Sequence, residues 1–285
     1  MAKNMALQTE ARIIADSIHN GHRLTTMEVT IHRFVLAEFN THRILSRNSA
    51  SSRAIPVEKQ LERIGESPAF PISWPCEQPG MSGGTELEGD DLAEAKALFD
   101  AVHAFTLKAV GDYVAEHPDK AHRLHKSVTN RLLEPFMWHT VVVSSTEWTN
   151  FFGLRCSPLA QPEIRVAAEM MRDVYQASTP VEVNDGQWHL PYITDEEKAS
   201  LDIEDLCKIS VIRCARVSSL HAGKVGDYDS DYALFERLTS AVPPHASPLE
   251  HVATPAISWG GPTLGNFDGW HQFRHTAGAY WSAAS

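Results

Sequence analysis

Two hydrophobic periods alternate along this chain, and that alternation constrains its fold more than any other feature. From Thr26 to Val35 the run TMEVTIHRFV is apolar at every second position (Met27, Val29, Ile31), as in a half-buried strand. The segment 91–117 instead repeats apolar residues every three or four positions (Leu92, Ala95, Leu98, Phe99, Val102, Phe105), and 159–177 does so with Ile164, Ala167, Met171 and Val174. Helical spacing over 5–18 (Leu7, Ala11, Ile14, Ala15, Ile18) predicts an opening helix, which Asn20-Gly21 stops. Pro56 opens a short helix through Ile64, and Thr194 with Glu197 fits a capping box for a helix to about Cys207. The apolar stretch ISVIRCARVS follows, then a helix near 230–240 and a last strand around 252–259. Val141 to Ser144 fits either a strand or a buried apolar segment, and periodicity does not separate the two. Residues 67–90, rich in proline and glycine, read as a surface insertion. The chain is mixed α and β, without the glycine-rich loops of Rossmann or P-loop nucleotide sites.

At 285 residues, 43% of them hydrophobic, the sequence supports a sizeable core in one large domain or two small ones. No apolar run approaches the ~20 residues that span a bilayer. The first twenty residues lack a signal-peptide pattern, so a cytoplasmic protein is expected. A formal charge of −11 argues against broad attraction to DNA or RNA, while leaving room for a small anion held by local arginines. The four cysteines (Cys76, Cys156, Cys207, Cys214) form no C-x-x-C pair and read as reduced, mostly buried thiols.

Three constellations carry potential chemistry. The first, His42-Arg43-x-x-Ser46-x-Asn48-x-x-Ser51-x-Arg53, crowds donors for phosphate or ribose oxygens into twelve residues, although a polar loop with local caps has the same composition. The second joins Trp148-x-Asn150-Phe151-Phe152-x-Leu154-Arg155 to Ala160-Gln161-x-Glu163-Ile164-Arg165. Arg155 there directly precedes the expected helix and points beside its N-terminus, whereas Glu163 and Arg165 read as a solvated or ion-paired face. Arg131 stands among apolar residues, as a ligand group or a salt bridge. The third, His245-Ala-Ser247-Pro-Leu-Glu250-His251, invites a metal, but it lacks the H-E-x-x-H spacing and indicates no third ligand.

Together these segments resemble the flavin-dependent thymidylate synthases. The family hallmark R-H-R-x-x-S-x-N-x-x-S-x-R is matched from His42 to Arg53, with Thr41 in place of the first arginine. Asn150 to Ile164 is similar to the family's Asn/Phe-rich segment, whose arginine precedes A-Q-x-E-I, and Arg131 to its phosphate-binding arginine. The A-R-V-S and H-x-[ST]-P-x-E-H elements, which precede the arginine motif in the family, here follow it, at Ala215–Ser218 and His245–His251. Gln272-Phe273-Arg274-His275 resembles the family's Q-x-x-R-H-R lead-in. The chain therefore resembles a circularly permuted, phage-type member: one domain over 1–285, with a helical insertion at about 65–125 that the resemblance leaves unexplained.

The resemblance implies an α+β fold, a central antiparallel sheet flanked by helices, with active sites at subunit interfaces of a homotetramer. It implies FAD as cofactor, NADPH and methylenetetrahydrofolate as co-substrates, and one-carbon transfer to C5 of a pyrimidine deoxynucleotide, dUMP to dTMP. Arg155 and Ser51 would be catalytic; Glu38, Ser49, Ser51, Arg53, Arg131 and Arg155 would bind the nucleotide. His42, Arg43, Ser46, Asn48, Asn150, Ser218, His245, Ser247 and Glu250 would contact FAD, with no metal. The family's usual Gln and Glu are replaced by Glu38 and Ser49, and a flavin-holding Asn and Arg by Ser144 and Thr146. A carboxylate at position 38 accepts from a cytosine 4-amino group but opposes uracil O4, so dCMP, methylated or hydroxymethylated for phage DNA, is an alternative substrate. A catalytically silent nucleotide-binding relative and a histidine-metal hydrolase are further alternatives.

Overall fold

The computed structural model describes residues 8–217, 227–241, 245–256 and 266–276. Two long strands, β1 (Glu10–His19) and β2 (His22–His32), form the hairpin at its centre. Of the segment expected to open the chain as a helix, 10–18 are therefore strand, and 5–7 lie outside the described residues. Asn20 and Gly21 both take positive φ (47° and 84°), the geometry of a two-residue hairpin turn rather than of a helix stop. A bulge at Ile14 shifts the register, so apolar residues spaced three and four apart still suit a sheet.

After β2 a short 3-10 turn (Arg33–Val35) leads into α1 (Leu36–Asn40), β3 (Ser46–Ser49) and α2 (Val57–Glu66). Next come α3 (Gly89–Glu116), α4 (Lys126–Thr129), β4 (Trp138–Ser145), α5 (Thr149–Arg155), α6 (Pro162–Ala177) and β5 (Val181–Glu182). The sheet order is β3-β4-β2-β1-β5. It is antiparallel apart from the two-residue edge strand β5, which runs parallel to β1. Arg155 ends α5, seven residues before α6 begins, and so does not lead directly into the long helix. Helix α3 matches its expected span, but Leu98, Val102 and Phe105 face outward, while Phe99, Leu107 and Val110 pack on the α2 side.

The remaining elements are α7 (Asp195–Ser200), α8 (Ile203–Ala215), α9 (Tyr228–Thr239), β6 (Ala253–Pro255), β7 (Trp270–Gln272) and α10 (Phe273–Thr276). The capping box at Thr194 and Glu197 forms, but its helix ends at Ser200. Asp202 then caps α8, which takes in most of the apolar stretch around Cys207. Cys207 and Cys214 are buried, and Cys76 and Cys156 are half-buried. Of the expected last strand only Ala253–Pro255 is strand; 257–259 lie outside the described residues.

One sheet face is apolar: Met27, Val29, Ile31, Val141 and Val143 pack against Phe39, Phe151, Ile164, Ala168 and Met171. The alternation in β2 predicted a wet second face, yet Thr26, Glu28 and Thr30 are buried. His189 meets Thr26, Tyr192 meets Glu28 and Thr30 pairs with Thr140, as burial of polar groups requires. Ser17 Oγ lies 2.8 Å from His189 Nδ1, and His189 Nε2 lies 2.8 Å from Thr26 Oγ1. Thr26 Oγ1 is 2.6 Å from Ser144 Oγ, which is 2.8 Å from His251 Nδ1. Tyr192, at φ 62°, donates its hydroxyl to Glu28 Oε2 (2.6 Å), whose other oxygen accepts from Arg12.

Burial holds His189 and His251 neutral, each with its pKa pushed down to about 3 from the ordinary 6.5. The unfolded chain binds these protons more readily, so stability is complete above pH about 6.5 and declines as pH falls toward 3, by up to about 1.4 kcal/mol per pH unit for each ring. Thermal melts between pH 7 and 4 should show a falling midpoint, less steep in His189→Gln; parallel slopes would exclude this origin.

Candidate active site

The polar stretch after β2 is held by three inward residues. Phe39 and Leu45 enter the core, and His42, 5% exposed, sets its ring edge-on to Phe151 at 4.9 Å and 83°. Phe151 lies one turn before Arg155 on α5, so the helix that orders the His42 ring also delivers the guanidinium. Arg155 Nε donates to His42 Nε2 (2.8 Å), and Nη2 donates to Thr41 Oγ1 (3.1 Å) and the Glu38 carbonyl (3.3 Å). Burial, then the Arg155 and Arg47 cations, lower the His42 pKa. Glu38 Oε2 is buried without a hydrogen-bond partner among the described residues.

Beyond β3 the chain turns back at Ser51, whose carbonyl accepts from Ala54 N–H (2.9 Å). Buried Asn130 pins this loop, its Nδ2 donating to the carbonyls of Ser52 (2.7 Å) and Ile55 (3.0 Å). Glu134 Oε1 accepts from Ser52 Oγ (3.0 Å), Arg33 Nη2 (3.2 Å) and Arg131 Nη1 (2.7 Å). Arg131 is thus drawn alongside the loop bearing Ser51 and Arg53. Ser49, Ser51, Arg53 and Arg131 are all exposed. Arg131 is both a salt-bridge partner and an accessible cation.

A second concavity, about 440 Å³, is lined by Arg43, Leu45, Arg47, Ser247, Glu250, Asn266 and Arg274. Glu250 organises it, accepting from Ser46 Oγ (2.7 Å) and from Arg274 Nη1 (2.7 Å). Asn266 Nδ2 donates to the Ile44 carbonyl (2.6 Å) and Ser46 Oγ (2.9 Å), and Gln272 Nε2 donates to Asn266 Oδ1 (2.9 Å). Three guanidinium groups against one carboxylate leave the pocket cationic. Burial lowers the pKa of Arg47, and nearby Glu250 partly restores it.

Front, middle and tail of the chain therefore meet. His42, Arg43 and Ser46 come together with Arg155 on one side and with Ser247 and Glu250 on the other. Asn48 instead donates to the Cys214 carbonyl (3.4 Å), Asn150 is exposed in the first turn of α5, and His245 is exposed at the protein surface. Ser218 lies outside the described residues. His245 is exposed whereas His251 is buried with its Nδ1 on Ser144, and no group of three or more potential metal ligands occurs among the described residues. Glu163 is not solvated: it is buried and accepts from Ile72 N–H (2.9 Å), while Arg165 pairs with Glu169. Arg47, Asn266, Gln272 and Arg274 were missed as site residues. Alignment of the Gln272–His275 segment with the motif marked two of them, whereas Asn266 carried no sequence signal.

Asn130→Ala should cost about 1–3 kcal/mol, because two buried carbonyls lose their donor. It should also speed amide exchange over 51–55. Denaturant melts and hydrogen exchange measure both, and an unchanged loop would mean that Asn130 does not hold it.

Residues 4–181, more than half of the chain and inclusive of 65–125, match the family model Thy1, thymidylate synthase complementing protein. No curated protein matches. Among solved structures, the UMP/dUMP methylase PolB from Streptomyces cacaoi, bound with 5-Br dUMP, is 17% identical, with 55% of this chain and 68% of that chain covered and a TM-score of 0.41. The flavin-dependent thymidylate synthase ThyX from Helicobacter pylori, complexed with FAD and dUMP, is 19% identical over 54% and 68% of the two chains, with a TM-score of 0.36. The chain belongs to the Thy1 family, the flavin-dependent thymidylate synthases that its arginine-rich motif resembles.

Proposed function

We propose that this protein transfers a one-carbon unit from methylenetetrahydrofolate to C5 of dUMP, yielding dTMP, with FAD as cofactor and NADPH as reductant. The observation that carries this reading is the junction at His42: its imidazole holds Arg155, and the neighbouring Arg43 opens into the cationic pocket closed by Glu250 and Arg274. Arg155 and the cationic pocket thus flank the 42–43 turn. A nucleoside monophosphate needs one of them and a dinucleotide cofactor the other.

Arg53 and Arg131, with Ser51 on the same loop as Arg53, suit the phosphate, and Ser49 ends the strand that leads into that loop. Arg155 faces the pyrimidine. C5 of uracil is a weak nucleophile, and a fixed cation near O2 and N3 stabilises the negative charge that develops in the ring. Arginine does this without surrendering its own proton. The FAD pyrophosphate would suit the Arg43, Arg47 and Arg274 pocket, where Glu250, itself held by Ser46, orders Arg274 and Ser247 forms part of the lining. Asn48, Asn150, Ser218 and His245 are assigned to the flavin by the family motif alone. A methylene group at the formaldehyde oxidation level needs two electrons to become methyl, and a bound flavin, once reduced by NADPH to FADH2, would supply that hydride equivalent.

The tail completes the pocket although its motifs follow the arginine segment, and this supports a single, circularly permuted domain. Exposed aliphatics adjoin the arginines: Ile44 beside Arg43, Leu132 beside Arg131 and Leu154 beside Arg155. Wet apolar groups around a site suit a partner surface, in keeping with a tetramer whose sites lie between subunits.

One observation favours a second substrate. The buried, unpartnered Glu38 Oε2 calls for a donor, and the 4-amino group of cytosine is one. The alternative activity is C5 methylation or hydroxymethylation of dCMP for phage DNA.

Mass spectrometry of products from dUMP and dCMP, each incubated with FAD, NADPH and methylenetetrahydrofolate, tests both readings. We expect a yellow protein that converts one of the two. A colourless protein that FAD cannot reconstitute would mark a silent relative. Arg155→Ala should abolish turnover with the melting temperature nearly kept, and Glu38→Gln should move preference toward uracil; an unaltered base ratio would remove Glu38 from base selection.

A further inference from the structure

We infer that His42 is a positioning residue for Arg155: its unprotonated Nε2 aims the guanidinium so that Nη1 is presented to the nucleotide. This rests on the nucleotide-binding role proposed for Arg155 and adds how that role is set.

An arginine head carries five N–H donors in a rigid plane. Here Nε is spent on His42 and both Nη2 hydrogens on Thr41 and Glu38, which leaves the two Nη1 hydrogens unclaimed among the described residues. The His42 bond is the shortest of the three and the one made to a buried ring. Thr41 is exposed, and the Glu38 carbonyl also accepts from the Thr41 hydroxyl, so neither fixes the plane alone. The ring itself cannot rotate freely, because Phe151 stands edge-on to it and Phe39 stands edge-on to Phe151. Arginine, imidazole and phenylalanine thus form a closed brace across α5 and the 41–45 turn. Ordering the side chain in advance removes the entropy that a free arginine would lose on binding.

The brace works with one tautomer only. Arg155 Nε is always a donor, so Nε2 must offer its lone pair and the ring proton must sit on Nδ1. Protonating Nε2 would set N–H against N–H and one cation against another. The charged groups facing the ring, Arg155 from α5 and Arg47 from β3, are both cations and oppose that protonation, as does burial.

Two variants separate this role from bulk packing. His42→Phe keeps the ring and its edge contact but offers no acceptor; His42→Gln keeps an acceptor at similar reach and does not titrate. Calorimetric titration of dUMP into flavin-loaded protein should show Kd raised about tenfold or more in His42→Phe, the loss expected for a hydrogen bond to a charged group, and mostly recovered in His42→Gln. Wild-type affinity in flavin-loaded His42→Phe, or equal losses in both variants, would overturn the assignment. The imidazole 15N shifts of the wild-type protein test the brace without any ligand: the proton should reside on Nδ1, and a protonated Nε2 at neutral pH would refute it. Should wild-type protein fail to bind dUMP while the Nδ1 tautomer is found, the nucleotide reading falls and the brace stands, with another anion as its client.

Discussion

The line of hydroxyls and imidazoles from Ser17 through His189, Thr26 and Ser144 to His251 is the contact on which the rest of the molecule depends. It runs across the second face of the central sheet, where β2 and β4 present polar side chains to a space closed from water. A polar face cannot be buried beneath an apolar cover without leaving donors and acceptors stranded. Residues 189–256 supply imidazoles at the matching positions. A neutral imidazole has one donor and one acceptor nitrogen, which suits His189 to link the Ser17 and Thr26 hydroxyls, while His251 ends the line with Nδ1 on Ser144. His251 follows Glu250 directly, so the contact that seals the sheet also sets the carboxylate organising the cationic pocket.

That pocket is basic in a chain whose formal charge is −11. The two facts agree because the local carboxylates are committed. Glu134 is shared by Arg33, Arg131 and Ser52, and Glu250 by Arg274 and Ser46. Each holds arginines in place rather than cancelling the field of the whole cluster, since the cations outnumber them. Net charge governs long-range behaviour toward polyanions, whereas recognition of one small phosphate is a matter of a few ångströms.

The sequence made visible those elements whose stability is local. The alternation in β2, the long period of α3 and α6 and the capping box at Thr194 each needed only neighbours in the chain. Where the pattern misled, a distant partner decided. Leu7, Ala11, Ile14 and Ile18 have helical spacing, yet the Asn20-Gly21 turn and pairing with β2 draw 10–19 into strand. Thr26 and Glu28 read as solvent-facing because nothing local announces that His189 and Tyr192 will arrive over them. The site divides in the same way. His42 to Arg53 and Arg155 were legible as a motif, whereas the roles of Asn266 and Gln272 exist through the distant segment of Ile44 and Ser46, and Glu163 meets Ile72 across ninety-one positions.

The Ser46–Glu250 bond joins residues 204 positions apart, and this orders events during synthesis. Strands β1 to β4 and the arginines at 53, 131 and 155 leave the ribosome well before Glu250 and Arg274 do. A nascent chain therefore owns a half-built sheet with one polar face still bathed in water, and holds the loop of Arg53 beside Arg131 before the pocket between Arg43 and Arg274 exists. Closure of that pocket becomes a checkpoint: only a chain read through residue 274 and folded back upon its own beginning can complete it.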